Sequence, residues 1–253
     1  MKEKIVTFFK TLPTKLRDYF KDYFKNLNYP FFVTMVVLSI GLLLADYFSK
    51  HQAFYYLTDG NLNSPTVISS RAGTSIIPGV LDLTYTANLG AAWGFASGKM
   101  WALCIVSFIA SIMLTVNLLF RFDKYNKWMT IGITLMAPGA IGNLIDRMGC
   151  LTQSGIYKGG VIDFLHFTFW PSFPICNLAD YFLTIGVVFL IIGFVLEFKK
   201  EYKQMKLEEE AEKKAEAEKA ASGVAEEDDF KKKLAEKEQQ ETGDKNESES
   251  NGN

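Results

Sequence analysis

The sequence contains little of what a metal site or a nucleic-acid groove requires. Only two histidines and three cysteines occur in 253 residues, and their spacings match no metal-binding pattern. The net charge is only −1, and the basic residues flank apolar segments instead of forming a groove. We therefore expect no metal ion and no nucleic-acid partner.

What the sequence has instead is four long apolar segments. Each contains about 20 residues, which is the length that a helix needs to cross the hydrocarbon core of a bilayer. They occupy residues 31–48, 101–120, 128–146 and 178–198. We predict a mainly α membrane protein with four transmembrane helices, in one domain that covers residues 29–200.

Lysine and arginine are distributed unevenly around these segments. The first 28 residues contain seven of them, residues 121–127 contain three and residues 199–206 contain four, whereas residues 51–100 contain only two. The positive-inside rule then places both termini in the cytoplasm. The connections after the first and third spans are predicted to face outward.

The outer segment, residues 51–100, is too polar to cross a membrane. Its β-branched and alternating stretches at 66–68 and 81–86, separated by Gly and Pro, predict a small antiparallel sheet between the first two spans. At the other end of the chain, residues 201–253 form a charged cytoplasmic tail. Its Ala, Glu and Lys predict helix to about residue 219, and its composition beyond Ser222 predicts disorder.

The basic N-terminal segment, residues 1–28, allows two interpretations. It is either an amphipathic helix in the membrane interface or a solvated positive flank. The first interpretation rests on six apolar residues near one side of the helix: Phe8, Phe9, Leu12, Leu16, Phe20 and Phe24.

The cysteines leave one pairing open. Cys104 lies inside a predicted span, where it is expected to be a small apolar filler. Cys150 and Cys176 both fall on the predicted outer side, where oxidation is possible. Two free thiols are the simpler expectation, and a disulfide between them is the alternative.

Two aspartates are the strongest candidates for chemistry. Asp180 opens the fourth apolar segment, where a carboxylate is costly to desolvate. Asn177 and Asp180 also have the spacing of a helix N-cap, and the capping and catalytic interpretations are compatible. Asp163 is a lone charge among apolar residues, at the end of a predicted short loop. Two carboxylates that share one proton are the core of an aspartic hydrolase.

Further polar residues occur at the predicted outer ends of the spans. Asn143 and Arg147 are four residues apart and share a face of the third span. Asp46 and Lys50 have the same spacing in the first span, where an exposed pair is usually a minor helix stabiliser. Residues 88–95 are rich in small side chains, which let a backbone approach a ligand or another helix closely. All these motifs converge on one side of the membrane.

This set of motifs resembles that of lipoprotein signal peptidase, also called signal peptidase II, a family of bacterial membrane aspartic proteases. The resemblance covers about residues 46–198 and includes all four spans. It rests on five motifs in the order of the family: Asp46-x-x-x-Lys50, Asn88-x-Gly90-Ala91-Ala92-Trp93, Gly142-Asn143-x-x-Asp146-Arg147, Val161-x-Asp163-Phe164 and Asn177-x-Ala179-Asp180. Three positions depart from the pattern, with Tyr47, Pro138 and Cys176 where Gln, Gly and Phe are common in the family.

The resemblance implies that Asp163 and Asp180 are the catalytic pair. It also implies that seven other residues line or support the substrate site: Asp46, Lys50, Asn88, Gly90, Asn143, Arg147 and Asn177. The implied substrate is a bacterial prolipoprotein whose Cys already bears diacylglycerol, and the implied cleavage is just before that Cys. No cofactor is implied. We expect a monomer in the bacterial cytoplasmic (inner) membrane, in contact with membrane lipid, with its active site near the extracytoplasmic face.

Two other functions compete with this one. A proton-coupled carrier could use Asp163, Asp180 and Arg147 as a relay, but its ionisable groups should lie near the bilayer midplane, often within inverted repeats. An intramembrane protease of the presenilin type has Gly-x-Gly-Asp inside a span, whereas Gly160-Val161-Ile162 precedes Asp163 here. The motifs fit neither alternative as well as they fit signal peptidase II.

Overall fold

The computed structural model describes the backbone of residues 2–60, 74–90 and 99–250 and the side chains of residues 11–60, 74–90 and 99–215. The chain divides into two units, residues 1–195 and 196–253. The helices are α1 (Lys2–Asn26), α2 (Tyr29–Thr58), α3 (Met100–Phe120), α4 (Lys127–Leu151) and α5 (Leu178–Ser250). The strands are β1 (Thr74–Ile77), β2 (Leu81–Asn88) and β3 (Val161–Phe167).

Four helices in the described part of the chain are long and apolar enough to cross a membrane. They are α2, α3, α4 and the Leu178–Ala215 part of α5. The predicted mainly helical fold with four spans is therefore confirmed. α2 continues to Thr58, ten residues beyond the predicted first span at residues 31–48. Its last turns bury Phe54 and Leu57 in an apolar cluster with residues of β2 and β3.

α4 is the central span of the first unit. In the most apolar window of α4, 61% of the residues are buried, against 11% in α3. Glycines allow α4 and α5 to pack closely, since a Cβ on Gly132 would lie 2.7 Å from the Gly186 carbonyl oxygen. The polar residues that α4 carries near its C-terminal end are thereby enclosed by its neighbours.

The small sheet has three antiparallel strands in the order β1-β2-β3. Its presence was predicted, but its third strand comes from the connection between α4 and α5. The predicted strand at 66–68 lies outside the described residues. β3 pairs with β2 so that Asp163 lies opposite Thr86. The prediction that Asp163 ends a loop is wrong, because Val161, Ile162 and Phe164 favour a strand and are buried.

The second unit contains only the C-terminal part of α5. The helix continues to Ser250, beyond the point at Ser222 where composition predicts disorder. Ala, Glu, Lys and Gln dominate this stretch, and all four are strong helix formers.

Candidate active site

Asn177 and Asp180 together cap the N-terminus of α5. The Asp180 backbone N–H donates to Asn177 Oδ1 over 3.1 Å, and the Asn177 backbone N–H donates to Asp180 Oδ2 over 3.1 Å. This reciprocal pair satisfies two backbone donors and places a carboxylate at the positive end of the helix. The capping interpretation is therefore confirmed. It occupies only one Asp180 oxygen, because the other accepts a hydrogen bond from Asn143 Nδ2 over 2.9 Å.

Asp163 is held beside this cap by the sheet. Its side chain is 2% exposed, and its two oxygens accept hydrogen bonds from Asn177 Nδ2 over 2.6 Å and from Asn88 Nδ2 over 3.0 Å. The backbone of Cys176 pairs with Leu165 in β3, with both N–H···O bonds near 3 Å. This pairing brings β3 next to the start of α5, within the one connection between α4 and α5.

Both aspartates line one cavity of about 420 Å³. Four further residues named from the sequence line the same cavity: Asn88, Gly90, Asn143 and Arg147. Its remaining wall is mostly apolar and includes Phe173, Pro174, Ile175 and Leu183. The cavity therefore combines two carboxylates with apolar surface, as expected for a site that binds an apolar peptide.

The electrostatic environment of Asp163 favours a bound proton. Burial is the largest cause, and the nearby Asp180 carboxylate adds to it, so that the pKa of Asp163 is raised to about 7. The hydrogen bonds from Asn88 and Asn177 and the charge of Lys50 act in the opposite direction. Near neutral pH, one proton is therefore available to the two carboxylates.

Asp46 and Lys50 do not line the cavity but belong to a buried ion cluster behind it. Lys50 Nζ lies 2.8 Å from Asp46 Oδ2 and 3.0 Å from Asp146 Oδ2. All three residues are at most 1% exposed. The interpretation of Asp46 and Lys50 as an exposed helix-stabilising pair is wrong, because the sheet, α4 and the start of α5 cover this end of α2.

The cluster also holds the backbone next to each candidate catalytic aspartate. Asp46 Oδ1 accepts a hydrogen bond from the Ala179 N–H over 2.9 Å, and Ala179 directly precedes Asp180. Asp146 Oδ2 accepts one from the Ile162 N–H over 3.2 Å, and Ile162 directly precedes Asp163. The start of α5 and strand β3 are thus both linked to Lys50, the first through Asp46 and the second through Asp146.

Asn143 connects this cluster to the cavity. Its Oδ1 accepts hydrogen bonds from Lys50 Nζ and from Asn177 Nδ2, each over 3.1 Å. Because an ammonium group can only donate, the amide oxygen of Asn143 must face Lys50. Its NH₂ group is then turned towards Asp180. Lys50 therefore determines which group Asn143 presents to the carboxylate.

Arg147 contributes the cation in the cavity wall. Its Nη1 donates to Ser107 Oγ of α3 over 2.9 Å, while its Nε is buried without a hydrogen-bond partner among the residues that the structure describes. The predicted common face of Asn143 and Arg147 is confirmed, since both line the cavity. An unpaired buried donor in a cavity wall can donate a hydrogen bond to a carbonyl oxygen of a bound peptide at little further cost.

Two residues in this arrangement were not assigned a role from the sequence. Asp146 occurs in one of the quoted motifs, and its spacing of three residues from Asn143 was the available signal. Ser107 carries no signal, because one hydroxyl in an apolar helix is common. Cys150 and Cys176 are both free thiols, whose Sγ atoms donate to the carbonyl oxygens of Lys158 and Leu165.

The chain is similar to a family of known proteins and to a solved membrane enzyme. A family model described as signal peptidase (SPase) II matches residues 38–196. The lipoprotein signal peptidase of Enterococcus faecalis is 35% identical over 167 residues, which cover 66% of this chain and 91% of that protein. The one of Lactiplantibacillus plantarum is 42% identical over 127 residues, covering 50% of this chain and 77% of that protein. A solved bacterial membrane enzyme is similar with a TM-score of 0.51 and 31% identity, covering 66% of this chain and 90% of that one.

Proposed function

The chain belongs to the signal peptidase II family, and we propose that Asp163 and Asp180 are the catalytic pair with which it removes signal peptides from prolipoproteins. The observation that carries the assignment is the meeting of these two carboxylates in one cavity. Their hydrogen-bond donors are amides: Asn88, Asn143 and Asn177. Neutral donors hold the carboxylates in place without removing their capacity to exchange a proton.

The chemistry follows that of a carboxylate pair with one shared proton. The ionised member removes a proton from a water molecule, whose oxygen attacks the scissile carbonyl carbon, while the protonated member donates to the carbonyl oxygen. The C–N bond then breaks as the leaving nitrogen receives the proton taken from the water, and one hydroxyl of the former carbonyl carbon returns its proton to the carboxylate that had donated it. Burial and the nearby Asp180 raise the pKa of Asp163 to about 7, so that a proton can be held at the pair near neutral pH.

Arg147, Asn88 and Gly90 are the groups that we assign to peptide binding. All three lie in the cavity wall, and the free Nε of Arg147 is a donor for a substrate carbonyl. The Gly90 backbone N–H donates to Asn88 Oδ1 over 2.9 Å, which turns the Asn88 amide NH₂ towards Asp163. These residues are therefore suited to orient the scissile bond relative to the pair.

Asp46, Lys50 and Asn177 support the pair from behind. Asn177 is fully buried and donates to Asp163, so it positions this carboxylate without being in the cavity wall. Lys50 and Asp46 act through Asn143 and through the backbone before Asp180. We assign them as positioning residues.

The substrate class follows from the family and from the apolar wall. We propose a prolipoprotein with a diacylglyceryl-modified Cys, cleaved just before that Cys. Phe173, Ile175 and Leu183 in the wall match an apolar signal peptide and its lipid, which would enter sideways from the bilayer. The basic residues at the opposite end of the spans favour cytoplasmic termini and an extracytoplasmic active site in a bacterial cytoplasmic membrane. A monomer is sufficient, because one chain supplies every residue of the site.

The test is cleavage of a lipidated prolipoprotein by purified Asp163→Asn and Asp180→Asn enzymes. Each substitution should lower the cleavage rate by about 10⁴-fold or more, because removing one member of a catalytic unit costs nearly as much activity as removing the whole unit. Asp82→Asn is the matched control, since Asp82 lies on β2 and is not in the cavity wall. Cleavage by either active-site variant at the rate of the control would exclude the pair.

A further inference from the structure

The apolar face of α1 is only partly covered by the rest of the protein. Tyr23 of α1 and Leu27, just after the helix ends, are buried in a cluster with Phe122, at 3%, 7% and 5% exposure. Leu16 and Phe24 lie on the same side but are 47% and 48% exposed. The apolar face is therefore covered by the protein at Tyr23 and Leu27 and exposed at Leu16 and Phe24.

α1 is attached at the end of the spans that lies opposite the aspartate pair. Tyr23 Oη donates to the Leu119 carbonyl oxygen over 2.7 Å, and Tyr19 Oη donates to that of Phe120. The rings of Phe20 and Phe120 are in edge contact, with centroids 5.9 Å apart. Since α3 ends at Phe120, these contacts hold α1 where a spanning helix leaves the hydrocarbon, which is the level of the lipid headgroups.

Basic residues lie beside both exposed apolar side chains, Leu16 and Phe24. Lys15 and Arg17 flank Leu16 on its two sides, because successive residues are rotated by roughly 100° around a helix. Lys21 and Lys25 complete a set of four exposed cations, against the two acids Asp18 and Asp22. Long cationic side chains beside an apolar strip can place their stems along acyl chains and their charges among phosphates.

We propose that α1 is a binding surface for anionic phospholipid, with Leu16 and Phe24 inserted at the headgroup boundary and the four cations on lipid phosphates. The combination of an apolar strip, flanking cations and attachment at a span end fits a charged bilayer surface. A solvated positive flank, the alternative left open by the sequence, does not account for two half-exposed large apolar side chains on one face. The surface lies outside residues 38–196, which match the family. The proposal does not depend on the assignment of the catalytic pair.

The test compares the full-length protein in nanodiscs of phosphatidylcholine alone and of phosphatidylcholine and phosphatidylglycerol in equal parts. Amide hydrogen exchange of residues 14–26 should slow by roughly tenfold when phosphatidylglycerol is present, and high salt should remove the gain. The quadruple variant K15Q/R17Q/K21Q/K25Q should lose the difference between the two discs. K213Q/K214Q, which removes charge from the tail, should retain it.

Equal exchange in the two discs, or a gain that persists in the quadruple variant, would overturn the proposal. Exchange in α4 reports whether a variant has kept its fold. If α4 also exchanges faster in the quadruple variant, D18N/D22N provides the second test, since it makes α1 more positive without removing a cation. It should enlarge the gain from phosphatidylglycerol, and an unchanged gain would count equally against lipid binding.

Discussion

The protein contains two neighbouring pairs of aspartates, and the pairs differ in the groups that bind their carboxylates. Asp46 and Asp146 share the ammonium group of Lys50 and are at most 1% exposed. Asp163 and Asp180 share amide donors and face a cavity. Within the described residues, the first pair has a cation and does not line the cavity, whereas the second lines the cavity and has no cation among its hydrogen-bond donors.

This difference separates a structural role from a chemical one. Asp46 and Asp146 are held by a buried ammonium and by backbone N–H groups, and they do not line the cavity where a substrate could bind. Asp163 lines that cavity and is held by side-chain amides, and burial together with the nearby Asp180 raises its pKa to about 7. The two pairs are nevertheless coupled, because Asp46 and Asp146 hold the backbone immediately before Asp180 and Asp163. We call Asp46, Asp146 and Lys50 the sealed cluster, and Asp163 and Asp180 the open pair. We infer that the sealed cluster fixes the relative positions of the two carboxylates in the open pair.

Removing the cation from the sealed cluster should have the largest effect on stability. Lys50→Met leaves two buried carboxylates without their partner, which costs about 3–5 kcal/mol of unfolding free energy. Lys213→Met is a matched control, because Lys213 pairs with Glu209 at the same i,i+4 spacing but is exposed. It should change stability by about 0.5 kcal/mol or less. Denaturant titration in detergent measures both, and equal stability of the two variants would contradict the structural role.

Changing the residue that links the two pairs should affect mainly catalysis. Asn143→Asp keeps the oxygen that faces Lys50 but replaces the NH₂ group that faces Asp180 by a second oxygen. We expect the kcat to fall by about 10²–10³-fold, with partial recovery at acidic pH as the new carboxyl gains a proton. Single-turnover cleavage across a pH series measures this.

A control for this substitution lies at the other end of the protein. Asn117 in α3 donates to the Met113 carbonyl oxygen and is far from the cavity. Asn117→Asp should leave the cleavage rate and its pH dependence unchanged. An equal loss in both variants would mean that the defect of Asn143→Asp is not specific to Asp180.

Gly142 tests how closely the sealed cluster is packed. A Cβ at this position would lie 2.3 Å from Asp46 Oδ2, so Gly142→Ala must displace the carboxylate. We expect a loss of about 1–3 kcal/mol. Gly41→Ala in α2 is the control, since nothing lies within 4 Å of its added Cβ. It should be neutral or slightly stabilising, and thermal unfolding of the two variants side by side gives the comparison.

The sequence predicted the four spans and the residues that meet at the site, but not which of them face the cavity. Asp46–Lys50 and Glu209–Lys213 have the same spacing, yet only the first is buried. In a spanning helix, lipid-facing and core-facing positions are both apolar, so hydrophobic periodicity does not reveal the buried face. Burial here depends on tertiary packing, which spacing within one helix does not encode.

The location of Asp163 was unpredictable for a related reason. Its strand pairs with β2, which comes from a different connection, so the evidence for the strand is a long-range partner. A short apolar run with one charge does not by itself distinguish a strand from a loop near the membrane. The capping box of Asn177 and Asp180, by contrast, is local and was predictable from a spacing of three residues.

The cleavage rate should depend on pH through the open pair, and removing the hydrogen bond from Asn88 should shift that dependence. Because burial and Asp180 raise the pKa of Asp163 to about 7, the pair loses its shared proton above neutral pH. The kcat/KM should therefore fall by about tenfold per pH unit on the alkaline side. The hydrogen bond from Asn88 stabilises the ionised form and lowers this pKa. Asn88→Ala should then move the alkaline limb to higher pH, whereas Asp82→Asn should leave it in place. A limb that moves to lower pH in Asn88→Ala would mean that Asn88 does not act on Asp163 in the working enzyme.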